Sequence, residues 1–246
     1  MNGCSQIIPA SALAMEPSHA RTQYRAVIFD LDGVLVDSEP IHFAALNAVL
    51  CREGILLTEE ENSEFLGLPP EEVWTRLIRR FSLRGLVQDY LKRYEEEVAR
   101  ALQDPLKSPP FLPTLLQSLQ EMRISLAIAS SSRREWIESI LNSLDLQRYF
   151  PVVVSSDDVR RGKPHPEVYL TVARKLGMKP SECLAVEDAP NGVLSAKRAG
   201  MDVAVLRTPY LNQTSFPPAD FVLDSLADLL ALINPAHGRP PACGGL

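Results

Sequence analysis

The sequence predicts an α/β fold, in which a doubly wound parallel sheet of Rossmann-like type carries an inserted α-helical cap. Three observations lead to this prediction. Short, continuously apolar runs recur along the chain, a helical pattern follows most of them, and one stretch of about 70 residues contains helical periodicity alone. Strands that are apolar on both faces and alternate with helices are typical of a parallel sheet covered on both sides.

The six predicted strands are apolar, β-branched runs, and all but the fifth end at a polar residue. They are Ala26–Asp30, Ser125–Ser130, Val152–Ser155, Cys183–Asp188, Asp202–Leu206 and Phe221–Asp224. We therefore assign residues 24–38 and 111–233 to one core domain.

The interruption lies between the first and second strands, and we assign residues 39–110 to a four-helix cap domain. Its first helix is amphipathic, with Ile41, Ala45, Ala48 and Val49 on one face. A capping box at Thr58 opens the second helix, Pro70 begins the third, and Leu86 to Leu102 is the fourth. A helical insertion at this point covers the carboxyl edge of the sheet, where open α/β sheets bind ligands.

Composition limits the classes of partner. The chain has 246 residues, 46% of them hydrophobic, and a net charge of −6, so it has no basic signature of nucleic-acid binding. No apolar run has the length of a membrane-spanning helix. The four cysteines are widely spaced, which favours a reducing, cytoplasmic location. We expect a monomer, with a disordered extension over residues 1–23 and a disordered tail over 234–246. A targeting role of the extension is a minor alternative.

The most informative motif follows the first strand, where Asp30 and Asp32 precede Gly33. Two carboxylates spaced by two residues at a strand end point to the same side. They repel each other unless a cation or a shared proton separates them, and Mg²⁺ suits such a pair because it takes few protein oxygens. For the pair alone, a loop that caps a helix explains the residues equally well.

Three further motifs occupy the ends of later strands. Glu187 and Asp188 end an apolar strand, which is costly without a cation. Ser130, Ser131 and Ser132 offer hydroxyl and N–H groups before a helix, as an anion site does, although serines are also ordinary turn residues. Lys163 lies between Gly162 and Pro164 and can place one positive charge on a phosphate, but a single lysine is more often a solvated surface residue.

Taken together and in this order, the four motifs resemble the signature of the haloacid dehalogenase superfamily, from about Tyr24 to Ile233. The insertion resembles the α-helical cap of its β-phosphoglucomutase-like and phosphoglycolate phosphatase-like branch. The resemblance implies a Mg²⁺-dependent phosphatase. In that family Asp30 matches the nucleophile that becomes an aspartyl-phosphate, and Asp32 matches the general acid and base.

The remaining roles follow from the same resemblance. Ser130 matches the hydroxyl that binds the transferring phosphoryl group, with Ser131 and Ser132 beside it. Lys163 matches the cation that neutralises this group. Asp188 matches a Mg²⁺ ligand alongside Asp30 and the backbone carbonyl of Asp32, and Glu187 matches a direct or second-sphere ligand.

Asp32 and the first cap helix distinguish this chain from two kinds of relative. Dehalogenases lack the second acid, because their leaving halide needs no proton. Phosphonate-cleaving relatives need a lysine in the first cap helix, and Ile41 to Arg52 contains none. Two departures from the family pattern, Ala189 after the acidic pair and Pro110 before the first helix that follows the cap, do not touch this chemistry.

Two alternatives to a phosphatase remain. His42 matches a histidine of the β-phosphoglucomutases, although it also reads as an ordinary, partly buried helix residue. The cap loop around Gly67 and Leu68 lacks the cations with which those mutases bind a second phosphate, and the arginines at 76, 79 and 80 are expected on a solvated face. The second alternative, a non-catalytic small-molecule binder, is disfavoured because every catalytic position is filled. The substrate class expected under the cap is a small phosphorylated metabolite, such as a sugar phosphate.

Overall fold

The fold was analysed in a computed structural model of the whole chain. The structure describes residues 24–66, 68–103, 106, 108–208 and 217–233. The two terminal segments that we expect to be disordered, residues 1–23 and 234–246, lie outside the described residues. Gly67 does so as well.

Six parallel strands form one sheet, in the order β3-β2-β1-β4-β5-β6. Their bounds are β1 (Ala26–Phe29), β2 (Ser125–Ala129), β3 (Val152–Val154), β4 (Cys183–Glu187), β5 (Asp202–Leu206) and β6 (Phe221–Leu223). The strand order reverses between β1 and β4, and ligands of such sheets bind in the crevice at that point. The predicted doubly wound α/β fold is confirmed.

The described residues form nine α-helices. They are α1 (Glu39–Cys51), α2 (Glu59–Asn62), α3 (Pro70–Phe81), α4 (Val87–Ala101), α5 (Leu112–Glu121), α6 (Arg134–Ser143), α7 (Glu167–Leu176), α8 (Pro190–Arg198) and α9 (Asp228–Ile233). None of these helices is long and apolar enough to cross a bilayer.

Both faces of the sheet are buried, as the continuously apolar strands predict. Along β1, Val27 and Phe29 join one apolar cluster, while Ala26 and Ile28 join the other, and all four are fully buried. Side chains alternate across a strand, so helices cover the sheet on its two sides.

Helices α1 to α4 all lie between β1 and β2, and α4 packs against both α1 and α3. Trp74 of α3 stacks on Tyr90 of α4, with ring centroids 5.2 Å apart. The buried residues of α1 are Ala45, Leu46, Val49 and Leu50. This face differs from the predicted one, because Ala48 is only half-buried, whereas Leu46 and Leu50, which directly follow Ala45 and Val49, are buried.

The predicted strands β1, β2, β3, β4 and β6 each include one polar residue too many. Asp30, Ser130 and Asp188 follow the last ladder residue of β1, β2 and β4 rather than belonging to it. These side chains therefore stand directly at the carboxyl edge of the sheet.

Candidate active site

The site lies where β1 and β4 end side by side. These strands pair in register, with Phe29 opposite Val186. Asp30 and Glu187 come next in their chain segments and are therefore neighbours. The Asp30 backbone N–H donates to the Val186 carbonyl at 2.9 Å, which fixes the start of the loop. Two segments 157 residues apart in the chain thus bring their acids together.

Asp30, Glu187 and Asp188 form an acidic cluster. Each offers a carboxylate oxygen, and these oxygens all lie within 4.8 Å of one another. Burial raises the pKa of Asp30 to about 7, with Glu187 and Asp32 adding to the shift and Lys163 opposing it. The pKa of Asp188 is also raised well above its usual range, mainly by burial and then by the negative charges of Asp30 and Glu187. When all three are ionised, these carboxylates carry more negative charge than the neighbouring protein groups balance.

The chemistry of the cluster fits a hard divalent cation. Its donors are all carboxylate oxygens, which Mg²⁺ prefers. The Oε2 atom of Glu187 is buried and has no hydrogen-bond partner among the described residues, and a buried carboxylate oxygen without a partner is costly. A cation bound between these residues would coordinate that oxygen and also balance the excess negative charge.

Lys163 bridges two of the acids. Its Nζ lies 2.9 Å from Asp30 Oδ1 and 2.6 Å from Glu187 Oε1, and its side chain is only 6% exposed. Burial alone would lower the pKa of Lys163, but the two carboxylates raise it above the usual range. Lys163 is therefore a buried partner of the two acids and not a solvated surface lysine.

The same cluster contains a residue that the sequence analysis missed. The Tyr169 hydroxyl of α7 donates to Glu187 Oε1 at 2.5 Å, and the Tyr169 ring lies beneath Lys163 Nζ at 5.4 Å. In the sequence Tyr169 is one of several apolar residues on the buried face of α7, and no local signal marks its hydroxyl. Tyr169 helps to orient both Glu187 and Lys163.

Asp32 turns away from this cluster and occupies a separate hydrogen-bonding environment. Its two oxygens accept from the Ser38 and Ser132 hydroxyls, each at 2.6 Å, and His42 Nε2 lies 3.8 Å from Oδ1. Burial would raise the pKa of Asp32, but His42 and the two hydroxyls together lower it to about 2. The Asp32 carboxylate is thus ionised and held apart from the three clustered acids.

Helix α4 holds the other side of the His42 ring. Its Nδ1 is 2.7 Å from the Tyr94 hydroxyl of α4. Burial would lower the pKa of His42, whereas Asp32 and Glu39 raise it overall. Tyr94 is one more contact that the sequence motifs did not indicate.

The three serines after β2 also face the site. Ser130 is 1% exposed, and its Oγ accepts from the Ser132 backbone N–H at 2.9 Å. Ser130, Ser131 and Ser132 line the same cavity as Asp30, Asp32 and Lys163. The structure therefore brings together the residues of all four motifs, although the four are dispersed over the sequence.

The cavity has a volume of about 540 Å³ and extends from the acids to the helical insertion. His42 and Leu68 line it, and Gly67 lies outside the described residues. None of the arginines at 76, 79 and 80 lines it. Arg76 pairs with Glu72, and Arg80 pairs with Glu61 and Glu64, on the exposed surface of the insertion.

Comparison with known proteins agrees with this geometry. Residues 27–206 match the model of a family described as haloacid dehalogenase-like hydrolase. A phosphorylated carbohydrates phosphatase of Thermotoga maritima is 38% identical over 72% of this chain and 82% of its own length. Hexitol phosphatase B of Escherichia coli is 33% identical over 85% of this chain and 96% of its own length. The crystal structure of a putative beta-phosphoglucomutase from Thermotoga maritima superposes with a TM-score of 0.69, at 32% identity, over 85% of this chain and 98% of that one.

Proposed function

Because the chain belongs to the haloacid dehalogenase-like hydrolase family, we propose that it is a Mg²⁺-dependent phosphatase. It hydrolyses a small phosphorylated carbohydrate through an aspartyl-phosphate on Asp30. The observation that carries this proposal is the placement of Asp30 between Lys163, 2.9 Å away, and the acids of β4. The phosphatases of phosphorylated carbohydrates among its relatives support the substrate class.

The reaction has two steps. In the first, a carboxylate oxygen of Asp30 attacks phosphorus, the bond from phosphorus to the alcohol oxygen breaks, and the alcohol leaves with a proton from Asp32. In the second, Asp32 takes a proton from water, the water oxygen attacks phosphorus, and inorganic phosphate leaves as the Asp30 carboxylate is restored. Lys163 and the Ser130 hydroxyl stabilise the charge of the transferring group.

The environment of Asp32 suits these steps. With a pKa of about 2 it is ionised in the resting site and ready to act as a base. To act as an acid it must first take up a proton, and the proton that it takes from water in the second step serves the next turnover.

Mg²⁺ would be held by Asp30, Asp188 and the backbone carbonyl of Asp32, and Glu187 offers its unpartnered Oε2. A bound Mg²⁺ supplies positive charge that offsets the phosphoryl oxygens. Among the described residues, Lys163 is the one cation that pairs with Asp30 and Glu187.

We further propose that residues 24–38 and 111–233 act as a core domain and residues 39–110 as a cap that encloses the leaving group. A cap of this size suits a small alcohol. We also propose a cytoplasmic monomer, since Cys51 and Cys183 are free thiols, as is typical of a reducing compartment.

A sugar phosphomutase is the second candidate, supported by the contact between His42 and Asp32 and by the superposition on a putative beta-phosphoglucomutase. A mutase must hold a bisphosphate intermediate while water is excluded. The cap loop contributes Leu66, Leu68, Pro69 and Pro70 to the cavity, and these side chains offer no cation. We therefore favour release of phosphate to water.

The test is a product assay with a hexose 1-phosphate, in magnesium and in excess chelator. The wild type should release inorganic phosphate steadily in magnesium without a bisphosphate primer, and chelation should abolish turnover.

Asp30→Asn keeps the shape but removes the nucleophile, so it should fold and be inactive. Hexose 6-phosphate as the main, primer-dependent product would identify a mutase. Absence of turnover across a broad panel of phosphate esters would favour a non-catalytic binder.

A further inference from the structure

The cavity has two chemically different ends. At one end lie Asp30 and Lys163, where the phosphoryl group would bind. At the other end, beneath the insertion, the walls are aromatic and aliphatic, and they include Phe43, Trp74 and Trp136. The alcohol part of the substrate faces this second end.

The charges at the second end are mainly negative. Among the described residues, three carboxylates of the insertion line it, those of Glu39, Glu71 and Glu95. The positive groups beside them are His42, which is directed at Asp32, and Arg133. A like charge placed beside these carboxylates is repelled.

Arg133 is the one guanidinium group that lines the described part of the cavity, and it is already paired. Its Nη1 lies 2.6 Å from Glu95 Oε2 of α4, and its Nε lies 3.9 Å from Glu135 Oε1. Arg133 follows β2, whereas Glu95 belongs to the insertion, so their contact joins the two walls of the cavity. Glu95 therefore offsets the positive charge with which Arg133 would attract an anionic substrate group.

We propose that Glu95 is a specificity-determining residue, which neutralises Arg133 and restricts the enzyme to phosphate monoesters whose alcohol part carries no negative charge. This inference rests on the proposed phosphatase function and deepens it. An uncharged polyol can lay its C–H surface on the aromatic wall, while a carboxylate there would lose its hydration without gaining a free cation. Glu71 and Glu39 add to the same discrimination.

The experiment compares two esters that differ at one carbon. Sorbitol 6-phosphate ends in an uncharged CH₂OH group, and 6-phosphogluconate has a carboxylate at that position. For the wild type, kcat/KM should favour sorbitol 6-phosphate by at least about tenfold. Glu95→Gln removes the competing carboxylate and frees Arg133, so the ratio should move towards 6-phosphogluconate by about tenfold. Adding Arg133→Gln to that variant should reverse the gain.

Glu96→Gln is the matched control, because Glu96 is the next residue of α4, is exposed and does not line the cavity. It should keep the wild-type ratio. If Glu95→Gln does not fold, Glu71→Gln, on the exposed first turn of α3, should still shift the ratio in the same direction. A wild type that prefers 6-phosphogluconate, or a ratio unchanged in both variants, would overturn the proposal while phosphatase activity stands. Failure to hydrolyse either ester, or any other, would instead count against the proposed function.

Discussion

At the scale of single residues, Gly33 controls how closely the two acidic loops can approach. Its φ is +75°, and a Cβ atom at this position would lie 2.0 Å from Asp188 Oδ2. A side chain there is excluded both by the backbone conformation and by the neighbouring carboxylate. Gly33 therefore lets the loop after β1 turn directly against the end of β4.

Gly54 provides a matched comparison, since it has the same φ of +75° but nothing within 4 Å of the added atom. Either Gly→Ala change should cost roughly 1–2 kcal/mol of stability through the left-handed backbone. Gly33→Ala should also displace Asp188, and misplacement by about 1 Å costs on the order of 100-fold in kcat. Urea unfolding and steady-state kinetics measure the two effects. Equal kcat values for the two variants would show that the close approach is not needed.

The sequence predicted the charged residues of the site because each stands at the end of an apolar strand or in a distinctive loop. Parallel strands bring such ends to one edge, which is why Asp30 and Asp188 could be placed together. It did not predict Tyr169 or Tyr94, whose hydroxyls reach Glu187 and His42. Those contacts depend on how α7 and α4 pack, and a tyrosine within an apolar helix face carries no sign of its partner.

At the scale of elements, the segment that carries Lys163 is anchored by a short turn after β3. Asp158 Oδ2 accepts from the Ser155 backbone N–H at 2.7 Å and the Ser155 hydroxyl at 2.8 Å, and Arg134 of α6 donates to the same oxygen at 2.5 Å. Burial would raise the pKa of Asp158, but these donors lower it overall. The charged form of Asp158 thus ties the turn to α6.

Because the pKa of Asp158 is lowered on folding, its stabilising contribution is complete above the unfolded-state pKa of about 4 and is lost as the pH falls through the native value. Asp158→Asn should lower the free energy of unfolding by about 1 kcal/mol at pH 7, the usual cost of a lost cap, since solvent screens this partly exposed group. The difference from wild type should shrink as the pH falls below about 4.

Denaturant unfolding at pH 7 and pH 3 measures this change. Glu138→Gln is the control, because Glu138 also faces Arg134 but at 3.8 Å and 60% exposed, and an exposed pair contributes little. A loss of stability in Asp158→Asn that is as large at pH 3 as at pH 7 would contradict the role of its charge.

The extent of each element was predicted less well than its existence. The capping box at Thr58 is present, yet α2 ends after one turn and continues as a 3-10 turn, Ser63–Phe65. Polar residues fill α2, and none of its own side chains is buried, so tertiary packing does not extend it. Most helical stability comes from such packing, which a local cap does not reveal.

At the scale of the whole molecule, the acidic cluster joins the two halves of the sheet. β1 and β4 are its two middle strands, with β2 and β3 on one side and β5 and β6 on the other. Neither half can hold the cluster alone, since Asp30 comes from one strand and Glu187 and Asp188 from the other. Mutual repulsion of these acids opposes folding of the cation-free protein.

A bound cation should therefore stabilise the entire fold. At a Mg²⁺ concentration 100 times its dissociation constant, linkage gives about 2.7 kcal/mol, which for a chain of this size is roughly 5–11 °C in Tm. Asp188→Asn removes one ligand and one like charge, so it should melt above the wild type in chelator and respond weakly to Mg²⁺. Differential scanning calorimetry with and without Mg²⁺ measures both effects. Glu96→Gln, which removes an exposed carboxylate of α4 outside the cluster, should retain the full response. A Mg²⁺-induced rise in Tm as large in Asp188→Asn as in the wild type would place the cation elsewhere.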